Sequence, residues 1–170
     1  MKKLLITLFA ALLLSGCAAA PQANSEYSAE DINFAEMMIP HHEQAILMSD
    51  IALTNSISEE ILVLAQEIKD AQSPEIELMK SWTGVDSSTH MGHMMDGMLS
   101  ESQIQELRDS EGATFDRLFL EGMIAHHEGA ITMAQKVTGS ENKEVAALAT
   151  AIIEAQEKEI AFMRELIKFY

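Results

Sequence analysis

Cysteine is nearly missing from this chain, and the position of its one copy decides much of the available chemistry. Cys17 is the only thiol in 170 residues, and it closes the tetrapeptide Leu14-Ser15-Gly16-Cys17. Lys2 and Lys3 precede an apolar run from Leu4 to Leu14, the layout of a secretory signal. No longer apolar run follows, and this one is short of the roughly 20 residues of a membrane span. The tetrapeptide has the form of a lipobox. We therefore expect residues 1–16 to be a lipoprotein signal peptide and Cys17 to be lipidated. The mature protein would be an extracytoplasmic bacterial lipoprotein, tethered to a membrane at its periplasmic or cell-surface face. An ordinary signal peptide cut near Ala18 to Ala20 is the alternative. With Cys17 spent on lipid, no thiol remains for a disulfide or a thiolate metal site. Soft-metal chemistry must then come from histidine and methionine.

Basic residues are also scarce. Lys and Arg number 11 against 27 Asp and Glu, for a net charge of −16. Nucleic acid demands a basic footprint, so it is excluded as a partner. No glycine-rich phosphate loop and no nucleophile–base–acid arrangement is present, and no organic cofactor is expected. What the chain does have is apolar content, 48% of its residues, enough for one domain with a core.

Read in order, residues 17–29 form a lipidated, flexible tether, and a single all-α domain follows over residues 30–169. Ser28 and Asp31 have capping-box spacing. Phe34, Met38, His41, Ala45, Met48 and Ala52 then fall at steps of three or four and line one helical stripe. Ile39, His42, Ile46 and Leu53 widen it, and Glu36, Glu43 and Asp50 lie opposite. Pro40 sits inside this helix and predicts a kink or a late start. Ser56 and Glu59 suggest another capping box, opening a helix from about Ser58 to Trp82 whose inner face carries Ile61, Leu64, Ala65, Ile68, Gln72, Glu75 and Met79. Pro74 should bend it and Gly84 terminate it. Residues 84–99 lack periodicity and read as a loop, followed by a short helix from Ser100 to Ser110. A third main helix runs from Gly112–Thr114 to Val137, with Phe119, Met123, His126, Ala130, Met133 and Val137 repeating the first stripe. The last runs from about Glu141 to Lys168.

The chain contains an internal repeat. Met38-Ile-Pro-His41-His42-Glu43 returns as Met123-Ile-Ala-His126-His127-Glu128, with Phe34 to Met48 matching Phe119 to Met133 at an offset of 85. Beyond a one-residue indel the offset is 84, pairing Gln72 with Gln156, Glu75 with Glu159 and Met79 with Met163. Two helical hairpins, repeat one at 31–82 and repeat two at 112–168, joined by a Met/His loop and short helix at 83–111, predict a four-helix bundle with approximate twofold symmetry.

The phrases Met-Ile-Pro-His-His-Glu-Gln-Ala and Phe-Leu-Glu-Gly-Met-Ile-Ala-His-His-Glu-Gly-Ala-Ile-Thr-Met-Ala resemble the signature of domain-of-unknown-function family 305 (DUF305). So does the Ala-Gln-x-x-Glu-Ile-x-x-Met close of each half. The resemblance spans about Asp31 to Ile167. It implies an exported ferritin-like bundle, with copper binding and tolerance in some members. One departure is Ala125, where the phrase usually has proline.

The stripes offer a metal site built from His41, His42, Met38 and Met48 with His126, His127, Met123 and Met133. Thioethers suit Cu(I), imidazoles suit copper in either state, and the oxygen ligands that calcium requires are missing from the stripe. Glu43 and Glu128 point away and fit outer-shell or surface roles. Methionine and histidine on an apolar face are equally consistent with plain packing. The loop is separate evidence: His90, Met91, His93, Met94, Met95 and Met98 place six soft donors in nine residues, and Asp96 could add a hard ligand for Cu(II). We therefore expect an extracytoplasmic protein that binds copper, preferentially Cu(I) with Ag(I) as a soft substitute, for sequestration, tolerance or transfer. Its partners would be the metal ion, the membrane, and a second copy or a copper-handling protein. A ferritin-like metal oxidase is an alternative, although neither half contains the Glu-x-x-His of di-iron carboxylate proteins. A structural or interaction module without metal is another.

Overall fold

The structure, a computed structural model, describes residues 26–86, 88 and 95–170. The signal segment, Cys17, His90, Met91, His93 and Met94 lie outside the described residues. Within them the chain is all-helical: α1 (Ala29–Asn55), α2 (Glu59–Ser81), α3 (Glu101–Asp109), α4 (Gly112–Ala134) and α5 (Lys143–Leu166), with no strand. Short 3-10 turns, Gln135–Val137 and Ile167–Phe169, extend α4 and α5. No described helix is long and apolar enough to cross a membrane.

Local chemistry sets the helix ends. The Ser28 hydroxyl accepts the Asp31 amide at 3.1 Å and the Asp31 carboxylate accepts the Ser28 amide at 2.8 Å, a reciprocal capping box. Ser100 and Gln103 make the same box on α3. The box expected from Ser56 and Glu59 does not form. Ser58 is the N-cap of α2 and its side chain makes no capping bond. The Ser56 hydroxyl is committed elsewhere, donating to buried Asp116 at 2.5 Å while accepting the Ser58 amide. α1 begins well before Pro40 and runs unbroken through it. Gly84, at φ +100°, follows the end of α2.

α1 packs against α2, α4 against α5, and α1 against α4, while α3 lies on α1 and α4. The interior divides into two apolar clusters. One gathers Ala45, Met48 and Ala52 of α1 with Ile61, Leu64 and Ile68 of α2, Phe115, Phe119 and Met123 of α4, and Ile160 and Met163 of α5. The other gathers Phe34, Met38 and Ile39 of α1 with Ile76 and Met79 of α2, Ala130 and Met133 of α4, and Val145, Leu148 and Ile152 of α5. Each fully buried large side chain contributes about 1.5–3 kcal/mol. On every long helix the residues between the clusters are polar: His41 and His42, Gln72 and Glu75, His126 and His127, Gln156 and Glu159. A polar layer therefore crosses the middle of an otherwise apolar core.

Candidate metal centre: a buried histidine layer

The layer is built by adjacent histidines on α1 and α4. On a helix, neighbouring residues are about 100° apart, so one ring of each pair turns toward the opposite histidine helix and the other toward its own hairpin partner. His41 and His126 meet with ring centroids 3.8 Å apart and planes tilted by 42°. His42 instead reaches Glu75 on α2, Nε2 to Oε2 at 2.8 Å, and His127 reaches Glu159 on α5 at 2.6 Å. All four rings are fully buried. The two carboxylates are about one-fifth exposed, so each dyad runs from the layer to the surface.

Hydrogen bonding leaves the layer unsatisfied. Both ring nitrogens of His126 lack a partner, as do the Nδ1 atoms of His41, His42 and His127. Gln72 has neither amide atom bonded, and the Gln156 carbonyl and the Ser49 hydroxyl are also unpaired. Burial, together with His42 beside it, pushes the His41 imidazole down to about 3, with the Asp96 carbonyl acting in the opposite sense. Burial likewise holds His126 well below its ordinary value, reinforced by His41, His127 and His42, with the His41 backbone opposing slightly. His41 and His126 are thus neutral, the protonation state a metal ligand needs.

The methionines do not surround the rings evenly. Met38 and Met133 belong to one apolar cluster, Met48 and Met123 to the other, so the thioethers lie above and below the layer. From the loop, Met95 is half-buried against the second cluster and Met98 is half-buried. The Asp96 side chain is exposed, and it is its backbone carbonyl that approaches His41 Nε2 at 3.3 Å. The loop is fitted closely onto α4. A Cβ at Gly129 would stand 1.9 Å from the Asp96 carbonyl oxygen, and one at Gly97, whose φ is +84°, would stand 2.3 Å from that of Ala125. Gln44 clamps the same segment, donating to the Leu99 carbonyl at 2.9 Å and accepting its amide at 2.8 Å.

Glu43 and Glu128, adjacent to the histidines in sequence, are exposed and paired with Lys80 at 2.9 Å and Arg164 at 2.6 Å. The acidic residues that do reach the rings, Glu75 and Glu159, were legible only as inward-facing repeat positions. Their partners lie 33 and 32 residues away, and no local spacing signals such a pair. Among the described residues, no group of three or more His, Cys, Asp or Glu side chains is arranged to hold a metal ion. The arrangement offers few nitrogen donors per point, which suits a soft ion of low coordination number better than a hard one.

An all-helical protein with a sealed layer of four buried imidazoles is the class that fold and site define. The chain belongs to the DUF305 family, described as a domain of unknown function, whose model matches residues 31–167. It is similar to a DUF305 protein from Streptomyces coelicolor described as secreted, at 29% identity over 81% of this chain and 91% of that one, with a TM-score of 0.74. It is also similar to CopM in its Cu(II)-bound form, at 34% identity over 82% of this chain and 97% of that one, TM-score 0.72. CopM in its Cu(I)-bound form matches at 31% identity over 81% and 95%, TM-score 0.66. No protein of curated function matches the chain.

Proposed function

We propose that this protein binds monovalent copper or silver through histidine and methionine outside the cytoplasm, and that it sequesters or passes on the ion without turning over a substrate. The observation that carries this reading is the set of buried ring nitrogens without partners, above all both nitrogens of His126. Leaving a polar group buried and unbonded costs about 1–3 kcal/mol, so an apolar core would ordinarily exclude such a cluster. A soft ion that accepts imidazole lone pairs offsets that cost. His41, His42, His126 and His127 would hold it, with Met38, Met48, Met123 and Met133 as thioether donors from either side. The Met/His segment His90, Met91, His93, Met94, Met95 and Met98 would collect the ion. Its last residues rest on the histidine layer through Asp96 and Gly97. That relatives of this chain have been crystallised with Cu(I), Cu(II) and Ag supports the choice of metal.

The finer architecture belongs to the same reading. We take residues 30–169 as a ferritin-like four-helix bundle of two repeated hairpins, because repeat-related residues make matching contacts: His42–Glu75 with His127–Glu159, and Glu43–Lys80 with Glu128–Arg164. The lipobox ending in Cys17 supports a lipid tether, and the relative described as secreted agrees with export. The test is a Cu(I) titration of the purified protein against a chromophoric chelator. It is repeated with Met91, Met94, Met95 and Met98 changed to leucine, and with His41→Ala combined with His126→Ala. Tight binding that the histidine changes abolish and the loop changes only slow is expected. A wild-type protein that cannot compete with the chelator overturns the reading.

A further inference from the structure

The two carboxylates that enter the layer touch only one nitrogen of each ring. Glu75 Oε2 lies 2.8 Å from His42 Nε2, and Glu159 Oε2 lies 2.6 Å from His127 Nε2. In both rings the other nitrogen, Nδ1, is buried without a partner. A carboxylate oxygen only accepts, so Nε2 must carry the hydrogen at these distances. The opposite tautomer would set a bare lone pair against a carboxylate and leave a buried N–H with nothing to donate to. Both faults are costly in a low-dielectric interior. The same pairing occurs twice, at positions related by the repeat.

We propose that Glu75 and Glu159 are positioning residues, which fix His42 and His127 in the Nε2–H tautomer and so present two bare Nδ1 lone pairs inside the layer. This rests on the reading of the layer as the metal centre. A histidine that donates one N–H to a carboxylate is held in orientation and made a more basic donor through its other nitrogen. Glu43 and Glu128, the acidic residues of the repeated phrase itself, cannot do this, because they are engaged by Lys80 and Arg164 at the surface.

The test reads the tautomer and the affinity separately. Long-range proton–nitrogen NMR of the metal-free protein at neutral pH should show His42 and His127 as the Nε2–H form. Glu75→Ala should release that preference at His42 and leave His127 unchanged, and Glu159→Ala should do the reverse. Each should weaken Cu(I) binding in chelator competition by roughly 10–100-fold. Glu75→Gln, whose amide oxygen can still accept the hydrogen, should keep the tautomer and lose less. A wild-type protein with Nδ1–H rings overturns the inference, even if the alanine variants fold poorly. Alanine variants that keep wild-type affinity also overturn it. Failure of the wild type to bind Cu(I) would instead sink the metal-centre reading, and the tautomer measurement would still stand.

Discussion

His41 and His126 occupy equivalent positions in the two halves of the chain and lie ring against ring, 3.8 Å between centroids, with no exposure to solvent. A proton on either would be buried and would face further imidazoles rather than a carboxylate. The layer is stable only while these two rings are neutral.

Acid should therefore destabilise the metal-free protein early. In the unfolded chain the rings take up protons near pH 6.5, whereas in the folded protein His41 does so only at about 3 and His126 also well below its ordinary value. The unfolded state thus binds more protons in between. The stability these rings contribute is complete above about pH 6.5 and falls as pH drops, on the order of 1 kcal/mol per pH unit for each ring. Urea midpoints at several values from pH 7.5 to 4.5 measure this. A midpoint constant down to pH 5 would contradict it.

Metal should reverse the effect. An ion that binds only the folded state raises stability by about 2.7 kcal/mol at a hundred times its dissociation constant. Ag(I) should raise the thermal midpoint of the wild type at pH 7, and a chelator should return it. His41→Ala with His126→Ala should lose most of that shift, while changing Met91 and Met94 to leucine should keep it. An equal shift in the histidine variant would place the stabilising site elsewhere.

Two glycines of α4 should respond differently to alanine. Inside a helix Gly→Ala normally stabilises by about 0.5–1 kcal/mol. At Gly129 the new Cβ would stand 1.9 Å from the Asp96 carbonyl, which is backbone and cannot turn aside. At Gly122 it meets the ends of the Leu99 and Met48 side chains at 3.1 and 3.3 Å, which can. Gly129→Ala should cost about 1–3 kcal/mol and open the 95–99 segment to protease, while Gly122→Ala should be close to neutral. Thermal melts and limited proteolysis separate the two.

These glycines also show what the sequence could and could not reveal. Against the repeat, Gly122 replaces Met37, Ala125 replaces Pro40 and Gly129 replaces Gln44. Each of the second-copy residues lies against the loop at 96–99, and Gln44 of the first copy clamps that loop by two hydrogen bonds. The apolar stripes were readable because helical period is local, and all of Phe34, Met38, His41, Ala45, Met48 and Ala52 are buried. The Ser56–Asp116 bond and the two histidine–glutamate dyads were not, since each joins residues distant in sequence through packing alone. The methionines were readable as stripe members but not as divided between two clusters, which depends on how antiparallel helices cross.

The Ser56–Asp116 contact should be worth more than a cap. Asp116 is 2% exposed and Ser56 7%, and the hydroxyl that donates to the carboxylate at 2.5 Å also receives the Ser58 amide. Ser56→Ala strands a buried carboxylate and an amide at the start of α2, and should cost about 1–3 kcal/mol or more. Its repeat equivalent, Ser140, bonds Asp31. Burial raises the Asp31 carboxyl, but the Ser28 amide and the Ser140 and Ser28 hydroxyls outweigh it and hold the group below its ordinary range. Ser140→Ala should therefore also destabilise, and more at pH 7 than at pH 3. Denaturant midpoints of both variants decide it.

The glutamates of the repeated His-His-Glu phrase should prove dispensable for metal. Glu43 and Glu128 are half-exposed, and their partners Lys80 and Arg164 are 40% and 60% exposed. Surface pairs of this kind contribute about 0–1 kcal/mol, and salt screens them. Glu43→Gln with Glu128→Gln should leave Cu(I) affinity within about twofold, equivalent to roughly 0.4 kcal/mol, and should barely move the melting temperature at 0.15 M salt. Changing Glu75 and Glu159 by the same substitution acts on the rings directly and should weaken binding measurably. A large loss from the first pair would mean that the phrase, rather than the layer its histidines build, is the metal-binding unit.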